Sequence, residues 1–328
     1  MHLYRNILKQ ALNIAWHNKY LWFFGLFAAL LGNGGIYDIL IRGLSEDKSE
    51  KFFFGLQRIS ETGFFSFGTI TNIFHLLKTD FFSIMVLFIL GLIILASACF
   101  LIWLVIISQV GLVNNSANII LSKNKLGIRD GMASGSKHFW PVLWLNVIDK
   151  AILRIIFIFL SLLILNIIFK QGLLSIFILY IILFVIFIPL AIILSFIIKY
   201  AIAYIVIKGD GFLVSIKKGW RLFLVNWLVS IEMALILFFI NFIFGLAIIF
   251  CILIIAVPFV FLAVLFYKLL SVVGFWLMTS LGLIILLFMV MAAGAFLSTF
   301  QTTSWTGLFI ELIGRGGYSK ILRIFKRE

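Results

Sequence analysis

Long apolar runs, separated by short stretches in which charge and hydrophobicity alternate with helical spacing, set the pattern of this chain. The runs cover residues 82–113, 141–169, 173–207, 222–256 and 273–300. A helix rises 1.5 Å per residue, so about 20 apolar residues cross a hydrocarbon core of about 30 Å. Residues 21–31 enter apolar sequence too, but Gly32-Asn33-Gly34-Gly35 interrupts before residues 36–41, which predicts a short or broken first span. Backbone N–H and C=O groups in lipid must be satisfied within the chain, by helices or a closed barrel. The runs are continuous and do not alternate in ten-residue strips, so the pattern predicts an all-α polytopic bundle of about six transmembrane helices.

The intervening stretches read as amphipathic helices at the lipid surface. In 1–20, Leu3, Ile7, Leu8, Ala11, Leu12, Ala15 and Trp16 share a face opposite Arg5, Lys9, Asn13 and Lys19. A cleavable signal peptide is the competing reading of this basic leader and its apolar sequel, disfavoured by the leader's own amphipathicity and by the lack of a small-x-small site. The stretch 205–232 shows how an apolar helix leaves the bilayer and returns. Lys208-Gly209-Asp210-Gly211 supplies a turn in which glycine permits positive φ. Phe212, Leu213, Ile216, Trp220, Phe223 and Leu224 then recur at three- and four-residue spacing, with Lys217, Lys218 and Arg221 between them, and Trp220 and Trp227 at headgroup level. Residues 114–140 and 208–221 are the two elbows expected on the cytoplasmic side, 42–80 an extracytoplasmic loop, and 314–328 a basic cytoplasmic tail. Residues 258–271, with the polar break Tyr267-Lys268, read as a re-entrant or interfacial piece. A seventh span at 259–270 would cover only about 18 Å.

Composition sharpens this picture. A hydrophobic fraction of 64% with 12% charged residues exceeds what a soluble core needs. The net charge of +14 is spread over residues that flank apolar runs, which reads as a topology signal and not as a nucleic-acid surface. Of the 26 Lys and Arg, seventeen fall on the side that holds both termini in the six-span arrangement and seven on the other, predicting N- and C-termini in the cytoplasm of a prokaryotic cell. Cys99 and Cys251 lie deep in apolar runs and imply neither a disulfide framework nor a cysteine metal site.

The elbows align with each other at an interval of 84 residues, matching Ala117 to Ala201, Gly127 to Gly211, Gly135 to Gly219, Lys137 to Arg221 and Phe139 to Phe223. Ala15-Trp16-His17 gives a weaker third copy of Gly219-Trp220-Arg221. Three units of one interfacial helix and one two-span hairpin would account for this, while convergence of cytoplasmic entry points on Trp and Lys is the alternative.

Two groups of residues are candidates for function. Trp16, Lys137, Trp140, Lys217, Lys218, Trp220 and Arg221 are placed to face lipid or a partner. Asp149, Lys150, Arg154 and Glu232 are the ionisable residues most embedded in apolar sequence; they form either an intramembrane polar layer or an interfacial ion pair, since the run at 141–169 is longer than a span requires. Asn226, Asn146, Asn166, Asn241 and Gln109 read as interhelical hydrogen-bonding residues. The hydroxyl-rich stretch 298–306 reads either as a helix end satisfying its own carbonyls or as the wall of a small polar vestibule. HExxH, GxSxG and P-loop motifs are absent, and Ser134 within Gly131-Met132-Ala133-Ser134-Gly135 has no base in place, so no catalytic residue, metal or cofactor is assigned.

The leader at 11–26 (ALNIAWHNKYLWFFGL), the elbows and the ending Phe300-Gln301-Thr302-Thr303-Ser304-Trp305-Thr306 together resemble the six-span membrane domain fused to some glycerophosphodiester phosphodiesterases, and related prokaryotic membrane domains of unknown function. The catalytic barrel of those enzymes has no counterpart here, so the resemblance implies a stand-alone membrane module acting on or beside lipids. The expected function is therefore a non-enzymatic integral membrane protein that engages anionic lipids, or a membrane or cytoplasmic partner protein, through basic Trp-bearing helices. The alternative is a small-solute, lipid or ion transporter or channel using the layer at Glu232, Lys150 and Arg154.

Overall fold

A computed structural model describes residues 3–30, 81–121, 127–169 and 174–315. Among the described residues there are helices and short connections only: α1 (Leu3–His17), α2 (Tyr20–Ala28), α3 (Phe81–Ile120), α4 (Ile128–Lys137), α5 (Phe139–Phe169), α6 (Leu174–Ala203), α7 (Phe212–Val225) and α8 (Trp227–Arg315). A π-helical turn, Tyr204–Lys208, extends α6. Three segments are long and apolar enough to cross a membrane: Phe88–Ile120, Ile181–Lys208 and Trp227–Gly314. Their composition makes this a membrane protein built of helices. The expected loop at 42–80, the Lys170-Gln171-Gly172 turn and almost all of the basic tail lie outside the described residues.

Helix α8 is two antiparallel arms. Ser271, at φ 59° and ψ −152°, reverses the chain. Phe259 then lies against Gly282, Phe266 against Gly274, and the Phe244 ring 5.9 Å from that of Phe296. Residues 258–270 are thus the far end of the first arm and not a re-entrant piece, contrary to the reading from sequence. Pro258 does not stop the helix, and the polar Tyr267-Lys268 pair precedes the reversal instead of causing an earlier one.

Two other boundaries shift for reasons visible in the packing. Helix α3 runs through Asn114, Asn115 and Ser116 to Ile120, so the first seven residues of the 114–140 elbow are helical. Two of those polar side chains find hydrogen-bond partners outside the helix, although the Asn115 amide oxygen is left without one. Asn115 Nδ2 donates to Gly127 O at 3.2 Å, and the Ser116 and Thr303 hydroxyls hydrogen-bond at 2.9 Å. At the second elbow the surface helix continues to Val225, and the apolar arm starts at Trp227 instead of 222.

Each short helix folds back on the buried end of a long one. Helix α4 packs on α3, α7 on α6, and α1 on the last turns of α8, which closes a ring. The sequence repeat recurs in this arrangement. Gly127 and Gly211 both precede their helices in extended conformation. Gly135 and Gly219 both sit where backbone meets backbone: a Cβ would come within 2.8 Å of Ile107 O at the first, and within 2.9 Å of Ile197 O at the second. Ala15, the third copy, is fully buried in the cluster that includes Leu308, Phe309 and Leu312.

The pattern of buried positions on α7 differs from the amphipathic reading. Ser215, Gly219 and Phe223 make the buried stripe, whereas Leu213, Trp220 and Leu224 are exposed. Small residues permit the close helix crossing, with Phe223 packed beside them, while Leu213, Trp220 and Leu224 remain on the outside.

Candidate functional site

The elbow at 208–211 is held by local chemistry. Gly209 takes φ 72°, in the left-handed region that glycine occupies without steric cost, while Gly211 stays extended. Lys218 Nζ bridges both Asp210 carboxylate oxygens at 2.8 Å and lies 5.7 Å from the Tyr204 ring centroid. Lys218 therefore fastens the turn, leaving Lys217 and Arg221 as the outward cations of α7. A surface groove of about 680 Å³ opens beside them, lined by Lys208, Lys218 and Arg221 on its polar side and by Leu222, Val225 and Leu312 on its apolar side. The other residues read as lipid- or partner-facing are also on the outside: Trp16 is 62% exposed, Trp140 66% and Trp220 47%, and Lys137 is exposed in the last turn of α4.

The four ionisable residues embedded in apolar sequence take different positions. Lys150 and Arg154 are exposed on α5, while Asp149 and Glu232 are partly buried. Glu232 accepts a hydrogen bond from the Tyr4 hydroxyl of α1, a partner that no helical periodicity signals. Burial and this carboxylate push the Tyr4 phenol well above its usual range. Asp149 has one carboxylate oxygen buried without a hydrogen-bond partner and feels the positive charges of Lys150 and of Lys199 on α6.

Lys199 belongs to a second feature, a partly open cavity of about 70 Å³ where α3, α6 and the second arm of α8 converge. Gln109 enters from α3, Lys199 and Tyr200 from α6, and Gln301, Thr302, Trp305 and Thr306 from α8. The Lys199 ammonium lies 4.6 Å from the Trp305 ring centroid. Gln109 is oriented from behind, its Oε1 accepting from Asn146 Nδ2 at 2.8 Å. Asn146 and Gln109 thus do hydrogen-bond between helices.

The hydroxyl stretch lies inside α8, which continues nine residues beyond it to Arg315, so it is not the helix end expected from sequence, but it does supply a polar wall. Thr299, Ser304 and Thr306 donate to the carbonyls of Ala295, Phe300 and Thr302, each four residues back in the same continuing helix. Thr302 and Thr306 nonetheless line the cavity. From sequence, Lys199 is only one more cation near the end of an apolar run. The signal that marks it is its shared position with Gln109 of α3 and with Gln301, Thr302 and Thr306 of α8.

Among the described residues no group of three or more His, Cys, Asp or Glu is placed to hold a metal ion. No protein-family model, curated protein or solved structure matches the chain.

Proposed function

We propose that this is a non-enzymatic integral protein of a prokaryotic cytoplasmic membrane, crossing six times with both termini inside, whose short helices bind anionic phospholipid at the cytoplasmic headgroup layer. The groove beside α7 carries this reading, because it sets the cations of Lys208 and Arg221, next to the Lys218–Asp210 ion pair, against an apolar wall. A phosphodiester headgroup needs cationic donors, and the acyl chain attached to it needs the wall. Exposed Trp16, Trp140, Trp220 and Trp227 around the same end supply the amphipathic rings that favour headgroup depth. The reading agrees with the resemblance of the leader, elbows and ending to a six-span membrane domain that accompanies lipid-linked chemistry.

The test is lipid binding by the purified full chain. Replacing Lys217, Lys218 and Arg221 together by Gln is expected to reduce retained anionic phospholipid, read by native mass spectrometry, with zwitterionic lipid unaffected. Equal retention of anionic lipid by this variant refutes the role. Topology is checked separately: cysteines introduced by Lys217→Cys and Lys320→Cys are expected to react with a membrane-impermeant reagent only after the cytoplasmic face is opened.

The exposed positions of Lys150 and Arg154 favour contact with headgroups over a conduction path for these two residues.

A further inference from the structure

The cavity between α3, α6 and α8 is distinct from the α7 groove, and the balance of donors and acceptors on its wall is uneven. Lys199 brings three N–H donors and, among the described residues, forms no ion pair. Asp149, the acid within its electrostatic reach, is shared with Lys150, so these three groups leave one positive charge in excess. Some acceptors nearby are already engaged, although one Asp149 carboxylate oxygen has no hydrogen-bond partner. Gln109 Oε1 is taken by Asn146, and the Thr302 carbonyl by the Thr306 hydroxyl. The Tyr200 hydroxyl is turned to Ser230 at 2.6 Å. What remains toward the space is the Gln109 amide N–H pair, the Gln301 amide and the Thr302 hydroxyl. Lys199 is partly buried; the desolvation this costs its charge is offset by about 1–2 kcal/mol by the face of Trp305, and an anion in the cavity would compensate the remainder.

We propose that this cavity binds a single phosphoryl-class oxyanion, with the Lys199 ammonium supplying the charge and Gln109, Gln301 and Thr302 the remaining hydrogen bonds. Its size sets the ligand class. A void of about 70 Å³ holds about five waters on the scale of one probe sphere each, which suits one tetrahedral oxyanion inside it, with any group attached to that oxyanion left outside. One anionic group on three helices also explains why a lysine is placed inside the ring: it ties α3, α6 and α8 together only when the anion is present. The oxyanion has two sources, free inorganic phosphate or the phosphodiester of a phospholipid whose tails stay in the bilayer.

The experiment uses the purified full chain in neutral detergent. Thermal unfolding is followed against inorganic phosphate at constant ionic strength, with chloride as the replacement ion, and bound phospholipid is read by native mass spectrometry after washing. Phosphate stabilising the native chain, with binding weakened about tenfold or more in Lys199→Gln and unchanged in Lys268→Gln at the exposed hairpin tip, establishes a free oxyanion site. No phosphate effect, but a retained phospholipid lost in Lys199→Gln and kept in Lys268→Gln, establishes a headgroup site. Thr302→Val, nearly isosteric and lacking the hydroxyl, repeats each comparison should Lys199→Gln fail to fold. If neither phosphate nor phospholipid binds, or if binding is the same in the native chain and the cavity variants, the proposal is overturned. Loss of lipid in the Lys217, Lys218 and Arg221 variant with phosphate binding intact separates the groove from the cavity.

Discussion

The two ends of the long helices obey different rules. Between Phe82 and Ile102 the described side chains of α3 are exposed, and from Leu104 to Val113 they are buried. Helix α6 changes in the same direction, from exposed Ile181, Ile182 and Val185 to buried Phe196, Ile197 and Ile198. So does the second arm of α8, from exposed Leu283 and Ile284 to buried Leu297 and Phe300. The exposed stretch of α3 is about 21 residues, or about 32 Å, close to the thickness of a hydrocarbon core. At this end the side chains need only be apolar. At the other end the short helices close the ring, and there lie Ser108, Gln109, Asn115, Ser116, Asn146, Thr299, Thr303 and Ser304, all buried. Lipid tails are as apolar as leucine, so association there depends on close packing and hydrogen bonds. Specificity of fold therefore resides in the elbow end.

The sharpest way to break the comparison is to enlarge a glycine at a crossing. Gly135→Val and Gly219→Val place side-chain atoms against the backbone of Ile107 and of Ile197 and Ala201. Each is expected to destabilise by about 3 kcal/mol or more, because backbone cannot yield as a side chain does. Thermal unfolding in detergent measures it, and a shift in only one of the two variants would show that the elbows, though alike in sequence, bear unequal load.

How far the sequence reveals this structure follows from the same contrast. Continuous apolar runs betray the lipid-facing ends directly, since every position there obeys one requirement. The turn at Gly209 and the aligned glycines at 135 and 219 are legible because backbone geometry demands a particular residue. Partner choice at the elbow end is not legible, because Tyr4 with Glu232, Asn146 with Gln109 and Ser116 with Thr303 join residues far apart in the chain, and local periodicity carries no record of them. The same is true of Ser271. A break between the runs that end at 256 and resume at 273 is legible, but nothing in it marks Ser271 as the point of reversal, and Pro258, thirteen residues earlier, suggests an end to the arm that the helix does not observe.

Tyr4 tests whether a polar contact at the elbow end contributes as the packing does. Tyr4→Phe removes the donor to Glu232 and is expected to cost about 1–3 kcal/mol, toward the lower value because the pair is only partly buried. The phenol's pKa in the folded chain is raised above the unfolded value of about 10. The contribution is therefore fully present below that pH and is lost as pH rises toward the folded value. Unfolding midpoints of native chain and variant should differ by a constant amount from neutral pH to about 9 and converge in stronger alkali. A gap that widens with alkali would contradict the assignment.

Ser271 probes the opposite end. A non-glycine residue at φ 59° and ψ −152° costs about 1–3 kcal/mol, and glycine relieves it. Ser271→Gly is expected to raise the unfolding midpoint, the reverse of the glycine crossings, where any added atom lowers it. A lowered midpoint would mean that the hydroxyl contributes more to the reversal than the backbone conformation costs.

The smallest effect is expected where lipid alone surrounds the chain. A methyl group added at Gly91 in α3 or at Gly245 in the first arm of α8 would meet no atom within 4 Å, unlike one at Gly25, Gly111 or Gly131 at the buried end. Gly91→Ala extends the outer surface of a helix and reduces the conformational freedom of the unfolded chain, so it should be neutral or stabilise by up to about 1 kcal/mol. Gly111→Ala, in the same helix, would press its methyl group to 3.0 Å from Gly131 O and should destabilise. The pair makes one helix its own control: if both substitutions are equally tolerated, the division of α3 into a lipid-solvated half and a closely packed half does not hold.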